Sequence, residues 1–191
     1  GEMSYATGEI YIKNIRSAAN TDTYTFSGDE NGETFVPSFT SHGFRYVEIT
    51  GNGCELSDIS CVTSLEGLVL CNTPDTTGSF ECSDPLVNQL QSNIQWGQRG
   101  NSLLVYTDCP QRNERMGWTG DAQVFAPTAA FNMDVQSFMN KWLLDVRDGQ
   151  LMYNRQGAVP DTAPLGGDNR PAGCAGWADA SVIVPWEMYL A

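Results

Sequence analysis

The sequence predicts a mixed fold in two parts: an antiparallel β-sandwich segment followed by α-helices. Residues 1–72 hold short runs of β-branched and aromatic side chains separated by turn residues, a pattern typical of antiparallel strands. From residue 84 onward the apolar side chains recur every three or four positions, which is the period of an amphipathic helix. Residues 73–83 between the two parts have turn chemistry and little to bury, so they are predicted to form a linker.

Three stretches of the first part carry the clearest strand pattern. Residues 21–26 are rich in threonine and aromatic side chains, and residues 62–70 form an apolar run. Residues 44–49 divide their side chains between two faces, and a partial alternation covers residues 9–13. Together these stretches predict a sandwich whose outer face is polar.

The first helix of the second part has a clear beginning and end. Asp84 can cap it, and Pro85 suits the first helical position because proline lacks the backbone N–H that would be unsatisfied there. The helix is expected to end near residues 97–100. Its apolar stripe comprises Leu86, Leu90 and Ile94, with Val87 beside them.

Two further helices follow. Thr119 is the predicted cap of a helix that runs to Phe131, and Pro127 within it predicts a kink or an earlier end. Asp134 is the predicted cap of the next helix, and Gly149 its predicted end. The buried face of that helix is expected to contain Val135, Phe138, Met139, Trp142 and Val146.

An irregular segment, residues 150–176, precedes the last predicted helix. It is long and rich in proline and glycine, and loops of this length in compact domains are usually functional or mobile. The last helix is expected to start at Trp177 or Ala178. Trp96, Trp142 and Trp186 fall on predicted helix faces and are interpreted as core residues.

The charge balance restricts the classes of partner. The chain has 23 acidic and 10 basic residues, and hence a formal net charge of −13. This charge argues against nucleic acid and against anionic membrane surfaces, which both reward clustered lysine and arginine. No apolar run approaches the roughly 20 residues that span a bilayer. The composition is compatible with a protein that acts on neutral sugars, and it does not determine the compartment or the oligomeric state.

The cysteines do not indicate a metal site or a cofactor. The six cysteines, at positions 54, 61, 71, 82, 109 and 174, form no CxxC pair, and the chain has one histidine, His42. A structural zinc site is therefore not expected. Most of the thiols are expected to be free, because a chain of 191 residues can bury a core without disulfides. Cys109 is expected to be a small packed residue, and His42 a structural one.

Residues 108–121, with the sequence DCPQRNERMGWTGD, form the most informative segment. Within fourteen residues they hold three carboxylates, two arginines and a tryptophan, just before a predicted helix. A protonated carboxyl can serve as an acid in glycoside cleavage, and ionised ones can hold sugar hydroxyls. The apolar face of a sugar ring can stack on the indole. The segment is therefore predicted to be a sugar-cleaving loop.

This segment resembles the catalytic loop of the α-L-rhamnosidases of glycoside hydrolase family 78. Two flanking regions agree with the resemblance: residues 39–49 resemble the end of the β-sandwich that precedes the catalytic domain, and residues 176–186 a helix start deeper within it. The resemblance implies that residues 84–191 form the first part of an (α/α)6 barrel. It also implies hydrolysis of rhamnose-containing glycosides or polysaccharides, with no cofactor.

By this resemblance Glu114 matches the proton donor of the family. Such an acid must be protonated before reaction, which requires a raised pKa. Burial against Trp118 and the charges of Asp108 and Asp121 would raise it, whereas neighbouring arginines would lower it. The alternative is an exposed loop glutamate paired with Arg115.

Five further positions match substrate-binding residues of the family. Four of them have a structural alternative: Asp121 could stabilise the helix dipole, Arg112 could form an ion pair, and the two tryptophans could belong to the core. The resemblance implies that the two aspartates hold hydroxyls, the arginine lines the subsite and the tryptophans pack on the ring. The five residues are Asp108, Arg112, Trp118, Asp121 and Trp177.

The resemblance further implies an inverting reaction, in which a second carboxylate activates water on the opposite face of the sugar. The family's base is a glutamate late in the barrel, so it is expected beyond this chain, and the isolated chain is expected to be inactive. Two alternatives stay open: a barrel glycosidase for another sugar, and a non-catalytic carbohydrate-binding protein or inactive fragment.

Overall fold

A computed structural model of the chain describes residues 3–4, 8–51, 61–72, 75–153, 157–165 and 172–191. The chain divides into two units. The first comprises Gly1–Leu68 together with Gln111–Asn113, and the second comprises Val69–Pro110 together with Glu114–Ala191. No helix in the described ranges has the length and hydropathy that crossing a membrane needs.

The first unit contains little regular structure. Strand β1 (Met3–Ser4) pairs antiparallel with strand β2 (Ile10–Tyr11), and a short 3-10 helix follows at Lys13–Ile15. The strands predicted over residues 21–26, 44–49 and 62–70 do not form in the described part of the chain, so the sandwich is not confirmed. A strand pattern produces a strand only where a neighbouring strand pairs with it, and these segments have none there.

One loop of the first unit is organised around the carboxylate of Glu33. The backbone N–H groups of Ser27 and Gly28 each donate to it at 2.9 Å, and that of Asp29 donates at 3.1 Å. The Tyr24 hydroxyl also donates to this carboxylate, and together these bonds lower the pKa of Glu33 to about 2. Elsewhere in the unit, the histidine is structural as predicted: its Nε2 lies 2.9 Å from Asp22.

Helix α1 (Pro85–Gly100) has the predicted bounds, but not the predicted buried face. The Asp84 side chain accepts a hydrogen bond from the backbone N–H of Leu86 at 2.9 Å, which confirms the cap. The predicted apolar stripe is wrong for Leu86 and Leu90, which are 78% and 56% exposed. The residue that α1 buries is instead Gln98, whose amide finds hydrogen-bond partners inside the unit.

Helix α2 (Thr119–Asn132) begins differently from the prediction. Trp118 occupies the cap position, and the hydroxyl of Thr119 donates instead to the carbonyl of Asp161 at 2.9 Å. A partner distant in sequence has therefore displaced the local capping bond. The helix also continues past Pro127, whose missing N–H costs one helical bond. The small side chains of α2 that stay fully packed are Ala122, Ala126 and Ala129.

Helix α3 (Gln136–Tyr153) has the predicted start and the predicted buried face. Asp134 accepts from the backbone N–H of Gln136 at 3.3 Å. The predicted end at Gly149 is wrong, because the helix runs through it. A Cβ at Gly149 would lie 2.9 Å from Cγ of Pro160, so close packing explains this glycine better than helix termination does. The predicted face is buried or packed on the core: Val135, Phe138, Met139, Trp142 and Val146.

The last helical segment starts earlier than predicted and is divided in two. Helix α4 (Ala175–Ala178) and helix α5 (Ala180–Leu190) are separated at Asp179. Helix α5 contacts α2 and α3 and buries Ala180 and Val184 completely, whereas α4 buries none of its residues. Helix α5 is therefore the part of this segment that packs against the other helices.

Only one of the three tryptophans predicted to be core residues is buried. Trp142 is 1% exposed, and its indole N–H donates to the carbonyl of Ala163 at 3.0 Å. Trp96 and Trp186 are 55% and 56% exposed, so that prediction is wrong for them. The guanidinium of Arg99 lies over the Trp96 ring at 5.2 Å, which shields part of its face.

A buried amide connects α1 to α2. The side-chain N–H groups of Gln98 donate to the hydroxyl of Tyr106 at 3.1 Å and to the carbonyl of Ala129 at 3.2 Å. Its oxygen accepts from Asn132 at 3.3 Å, and Asn132 in turn accepts from Gln91 at 2.8 Å. Because such a network is costly when only partly satisfied, it fixes the position of α1 against α2.

We expect Gln98→Leu to lower the free energy of unfolding by about 2–4 kcal/mol, because it leaves several buried polar groups without partners. Gln89→Leu is the matched control, since Gln89 is exposed on the same helix and bonds only to Asn93 among the described residues; its effect should stay within about 0.5 kcal/mol. Urea denaturation of the full-length protein, monitored by tryptophan fluorescence, measures the effect of both substitutions. Equal effects of the two substitutions would contradict a role for the buried network.

Candidate active site

The predicted sugar-cleaving loop closes on itself. The backbone N–H of Asp108 donates to the carbonyl of Met116 at 3.3 Å, and the N–H of Met116 donates back to Oδ1 of Asp108 at 3.0 Å. Arg115, between them, has a left-handed φ of 46°, which turns the chain sharply. The closure brings the two ends of the loop together in the second unit, beside Glu114.

The loop places two carboxylates next to each other. One ligand atom each from Asp108, Cys109 and Glu114 lies within 4.8 Å of the others, and both carboxylate side chains are half-buried. Cys109 is 3% exposed, which confirms it as a packed residue.

Asp121 belongs to the same electrostatic group. Its pKa is raised, first by burial and then by the negative charges of Asp108 and Glu114. A hydrogen bond from its own backbone N–H opposes this shift without cancelling it. The three predicted carboxylates are therefore brought together, although Asp121 is on helix α2 and the other two are on the loop before it.

Two tryptophans form one wall of the site. The rings of Trp118 and Trp177 have centroids 6.3 Å apart, at an angle of 55°. Gly120 makes this approach possible, because a Cβ there would lie 3.0 Å from Cδ1 and Nε1 of Trp177. The side-chain amide of Gln123 donates to the carbonyl of Gly176 at 3.0 Å and ties α4 to α2.

A second segment, residues 160–163, holds the loop in place. Ala163 donates its N–H to the carbonyl of Gly117, and Thr119 donates its N–H to the carbonyl of Asp161, both at 2.9 Å. Between these bonds, Trp118 and Thr162 form an antiparallel bridge. The segment is part of the long irregular stretch that the sequence marked as functional or mobile, although no single residue of it was predicted.

Arg112 is the predicted site residue that belongs to a different unit from the other five. It is half-buried and belongs to the first unit with its two neighbours. In that unit the side-chain amide of Asn113 donates to Oγ of Ser17 at 2.7 Å, and the backbone N–H of Ser17 donates back at 3.1 Å. A role for Arg112 in substrate binding stays a prediction.

The thiols agree with the expectation of free cysteines in the part of the chain that the structure describes. Cys71, Cys82 and Cys174 are free thiols. Cys54 lies outside the described residues. The ligand atoms of Asp108, Cys109 and Glu114 are close enough to approach one cation, but a set of one thiol and two carboxylates without histidine is not typical of structural zinc.

Two families of known domains match the chain. Residues 75–191 match the bacterial α-L-rhamnosidase six-hairpin glycosidase domain, and residues 1–70 match the bacterial α-L-rhamnosidase concanavalin-like domain. The chain belongs to the bacterial α-L-rhamnosidase family. The helical second unit fits the six-hairpin glycosidase domain of this family.

Relatives of this rhamnosidase-family chain are similar along its whole length. It is 52% identical to the α-L-rhamnosidase of Streptomyces avermitilis over 190 residues, covering 100% of the chain and 18% of the relative. It is 44% identical to an α-L-rhamnosidase of Formosa agariphila, covering 98% of the chain and 20% of the relative.

Solved structures agree with this assignment. The crystal structure of the Streptomyces avermitilis enzyme complexed with L-rhamnose superposes with a TM-score of 0.88 at 51% identity, covering 100% of this chain and 18% of that one. The chain thus spans about a fifth of the length of the rhamnosidases that it matches.

We expect Gly117→Ala to disrupt the loop of residues 108–121 in this rhamnosidase-family chain. A Cβ at this position would lie 2.1 Å from the carbonyl oxygen of Ala163, so the loop and the segment behind it must separate. Overpacking of this kind costs about 1–3 kcal/mol. Gly97→Ala is the control, because Gly97 is exposed on α1 with open space around it and should gain up to about 1 kcal/mol in helix propensity. Gly117→Ala is expected to lower the midpoint of thermal unfolding, and Gly97→Ala to raise it. A rise with both substitutions would contradict the steric constraint at Gly117.

We expect Asp121→Asn to stabilise the fold at pH 7. A raised native pKa means that the folded state holds the proton more tightly than the unfolded state, so ionising Asp121 costs stability. The variant avoids this cost, and its advantage should shrink as the pH falls towards the ordinary Asp pKa of about 3.9. Thermal midpoints at several pH values measure it. Asp148→Asn, at an exposed position on α3, should show no such gain at pH 7; a gain independent of pH would count against the electrostatic cause.

Proposed function

We propose that the full-length protein hydrolyses terminal α-L-rhamnosyl bonds in glycosides or polysaccharides. The observation that carries this proposal is the pair of half-buried carboxylates, Asp108 and Glu114, within 4.8 Å of each other in the loop that leads to Trp118. Membership of the bacterial α-L-rhamnosidase family and the L-rhamnose bound to the Streptomyces avermitilis relative support the choice of sugar.

Glu114 is the proposed general acid. The Asp108 carboxylate accepts a hydrogen bond from the backbone N–H of Met116, which holds Asp108 in the loop beside Glu114. As the general acid, Glu114 would carry a proton before reaction and donate it to the glycosidic oxygen as the bond to the sugar breaks.

The close spacing also assigns a role to Asp108. An inverting enzyme needs roughly 6.5–9.5 Å between its acid and its base, so that a water molecule fits between the base and the sugar. Asp108 is too close to Glu114 for that role. We assign Asp108 to holding a sugar hydroxyl, and we assign the base to a part of the full-length protein beyond these residues.

The remaining predicted residues would bind the sugar ring. The face of Trp118 or of Trp177 can cover the apolar side of a rhamnosyl ring, and the two rings lie close enough to act on one sugar. Asp121 would accept a hydrogen bond from a hydroxyl, which would compensate for the crowding of negative charge around it. Arg112 completes the proposed set as a residue that lines the subsite.

Hydrolysis of α-L-rhamnosides by the full-length protein tests the role of Glu114. We expect Glu114→Gln to lower kcat by about 10²–10⁴-fold, as removal of a positioned acid does, while L-rhamnose still binds. The loss should be larger for an alkyl rhamnoside than for a nitrophenyl rhamnoside, because nitrophenolate leaves with little help from an acid. Glu81→Gln is the control, since Glu81 is exposed and outside the loop.

The outcomes separate the competing functions. Equal losses for both leaving groups would remove the assignment of Glu114 as the acid. A wild-type protein that binds L-rhamnose without cleaving any rhamnoside would be a carbohydrate-binding protein. Cleavage of another glycoside in preference to rhamnosides would change the sugar and keep the site.

A further inference from the structure

The carboxylate of Asp161 uses only part of its capacity to accept hydrogen bonds. The Cys174 thiol hydrogen-bonds to its carboxylate, and this bond, with the negative charge, raises the pKa of the thiol. Oδ1 of Asp161 is buried and has no hydrogen-bond partner among the described residues. A thiol is a weak donor, and a buried carboxylate oxygen without a partner is costly, so this arrangement requires an explanation.

The backbone of Asp161 is fixed at the same time. Its carbonyl accepts both the N–H and the hydroxyl of Thr119, each at 2.9 Å. The next residue, Thr162, forms the antiparallel bridge with Trp118. Asp161 is therefore held firmly beside the first turn of α2, and it cannot satisfy its side chain by moving away.

Asp161 also connects to the other tryptophan of the site. Cys174, the partner of its carboxylate, accepts at its backbone carbonyl from the N–H of Trp177 at 2.9 Å. Since the Trp177 ring meets the Trp118 ring, Asp161 is linked by hydrogen bonds to the segments that carry both rings. The carboxylate thus belongs to the framework around the two tryptophans.

A second hydrogen-bond acceptor in this region is also buried without a partner among the described residues. Oε1 of Gln123 is buried without a partner in the described part of the chain, while its Nε2 donates to Gly176 on α4. Asp161 and Gln123, which contact Cys174 and Gly176, thus each offer a buried acceptor. A ligand that satisfies them must supply donors, and the hydroxyls of a sugar are donors.

Helix α4 gives access to these atoms. It has four residues and buries none of them, and Cys174 and Trp177 are both exposed. A ligand can therefore reach Cys174, the partner of the Asp161 carboxylate, from solvent without any displacement of Trp177.

We propose that Asp161 is a further substrate-binding residue, whose carboxylate accepts a hydrogen bond from one hydroxyl of the sugar ring seated on Trp118 and Trp177. The inference rests on the proposed rhamnosidase function and adds a determinant of its specificity. The one hydroxyl that it contacts distinguishes rhamnose from sugars that lack a donor at that position.

The test compares Asp161→Ala with wild-type full-length protein on nitrophenyl α-L-rhamnoside and on its 2-deoxy, 3-deoxy and 4-deoxy analogues. Loss of a charged hydrogen bond lowers kcat/KM about 10–100-fold on the parent substrate. On the one analogue that lacks the contacted hydroxyl, the two proteins should agree within about twofold, because nothing remains there for the carboxylate to bind. Asp148→Ala, exposed on α3, is the control and should match the wild type on every substrate.

A structural role would give a different pattern. If Asp161→Ala loses activity equally on all four substrates, or on none, the proposal is wrong. Asp161→Asn keeps the size of the side chain and replaces the alanine variant if that variant does not fold; failure of both to fold would make Asp161 a structural residue and overturn the proposal. A wild-type protein without activity on the parent rhamnoside would instead remove the proposed function, and with it the substrate assigned to Asp161.

Discussion

The loop of residues 108–121 depends on its pairing with a short segment about 45 residues further along the chain. The bonds of Gly117 with Ala163 and of Thr119 with Asp161 lie on either side of the bridge between Trp118 and Thr162. This pairing fixes the start of α2, the direction of the Trp118 ring and the end of the loop that holds the carboxylates. It also requires a residue without a Cβ, since any side chain at position 117 would meet a carbonyl oxygen.

The same pairing allows negative charge to be concentrated. Three carboxylates of the second unit lie close enough to affect one another, as the raised pKa of Asp121 shows. Such crowding opposes folding, and it persists because the backbone bonds around it do not depend on those charges. The arrangement is typical of a site in which stability is given up for chemistry, since a substrate hydroxyl or a transferred proton relieves the repulsion.

The sequence predicted best those features that depend on residues close together in the chain. The Asp84 cap was correct because its partner is the nearby Leu86, and the buried face of α3 was correct because that helix packs against the core. The predicted cap at Thr119 and the predicted helix end at Gly149 were wrong. Asp161 accepts the hydrogen bond of the Thr119 hydroxyl, and Pro160 packs where a side chain at position 149 would lie; both residues are distant in sequence. Asp161 could not be found by its residue type, since its burial and its unpaired oxygen exist only after folding.

The Glu33 loop gives the first unit an unusual tolerance of acid at one place. A carboxyl whose native pKa is lowered to about 2 contributes stability above its ordinary pKa and loses it only as the pH falls through the native value. The loop therefore keeps its hydrogen bonds below the ordinary pKa of a glutamate, whereas Asp121, whose pKa is raised, takes up its proton at a higher pH than Glu33 does. Acidification thus changes the charge of the sugar site first and leaves this turn of the first unit intact.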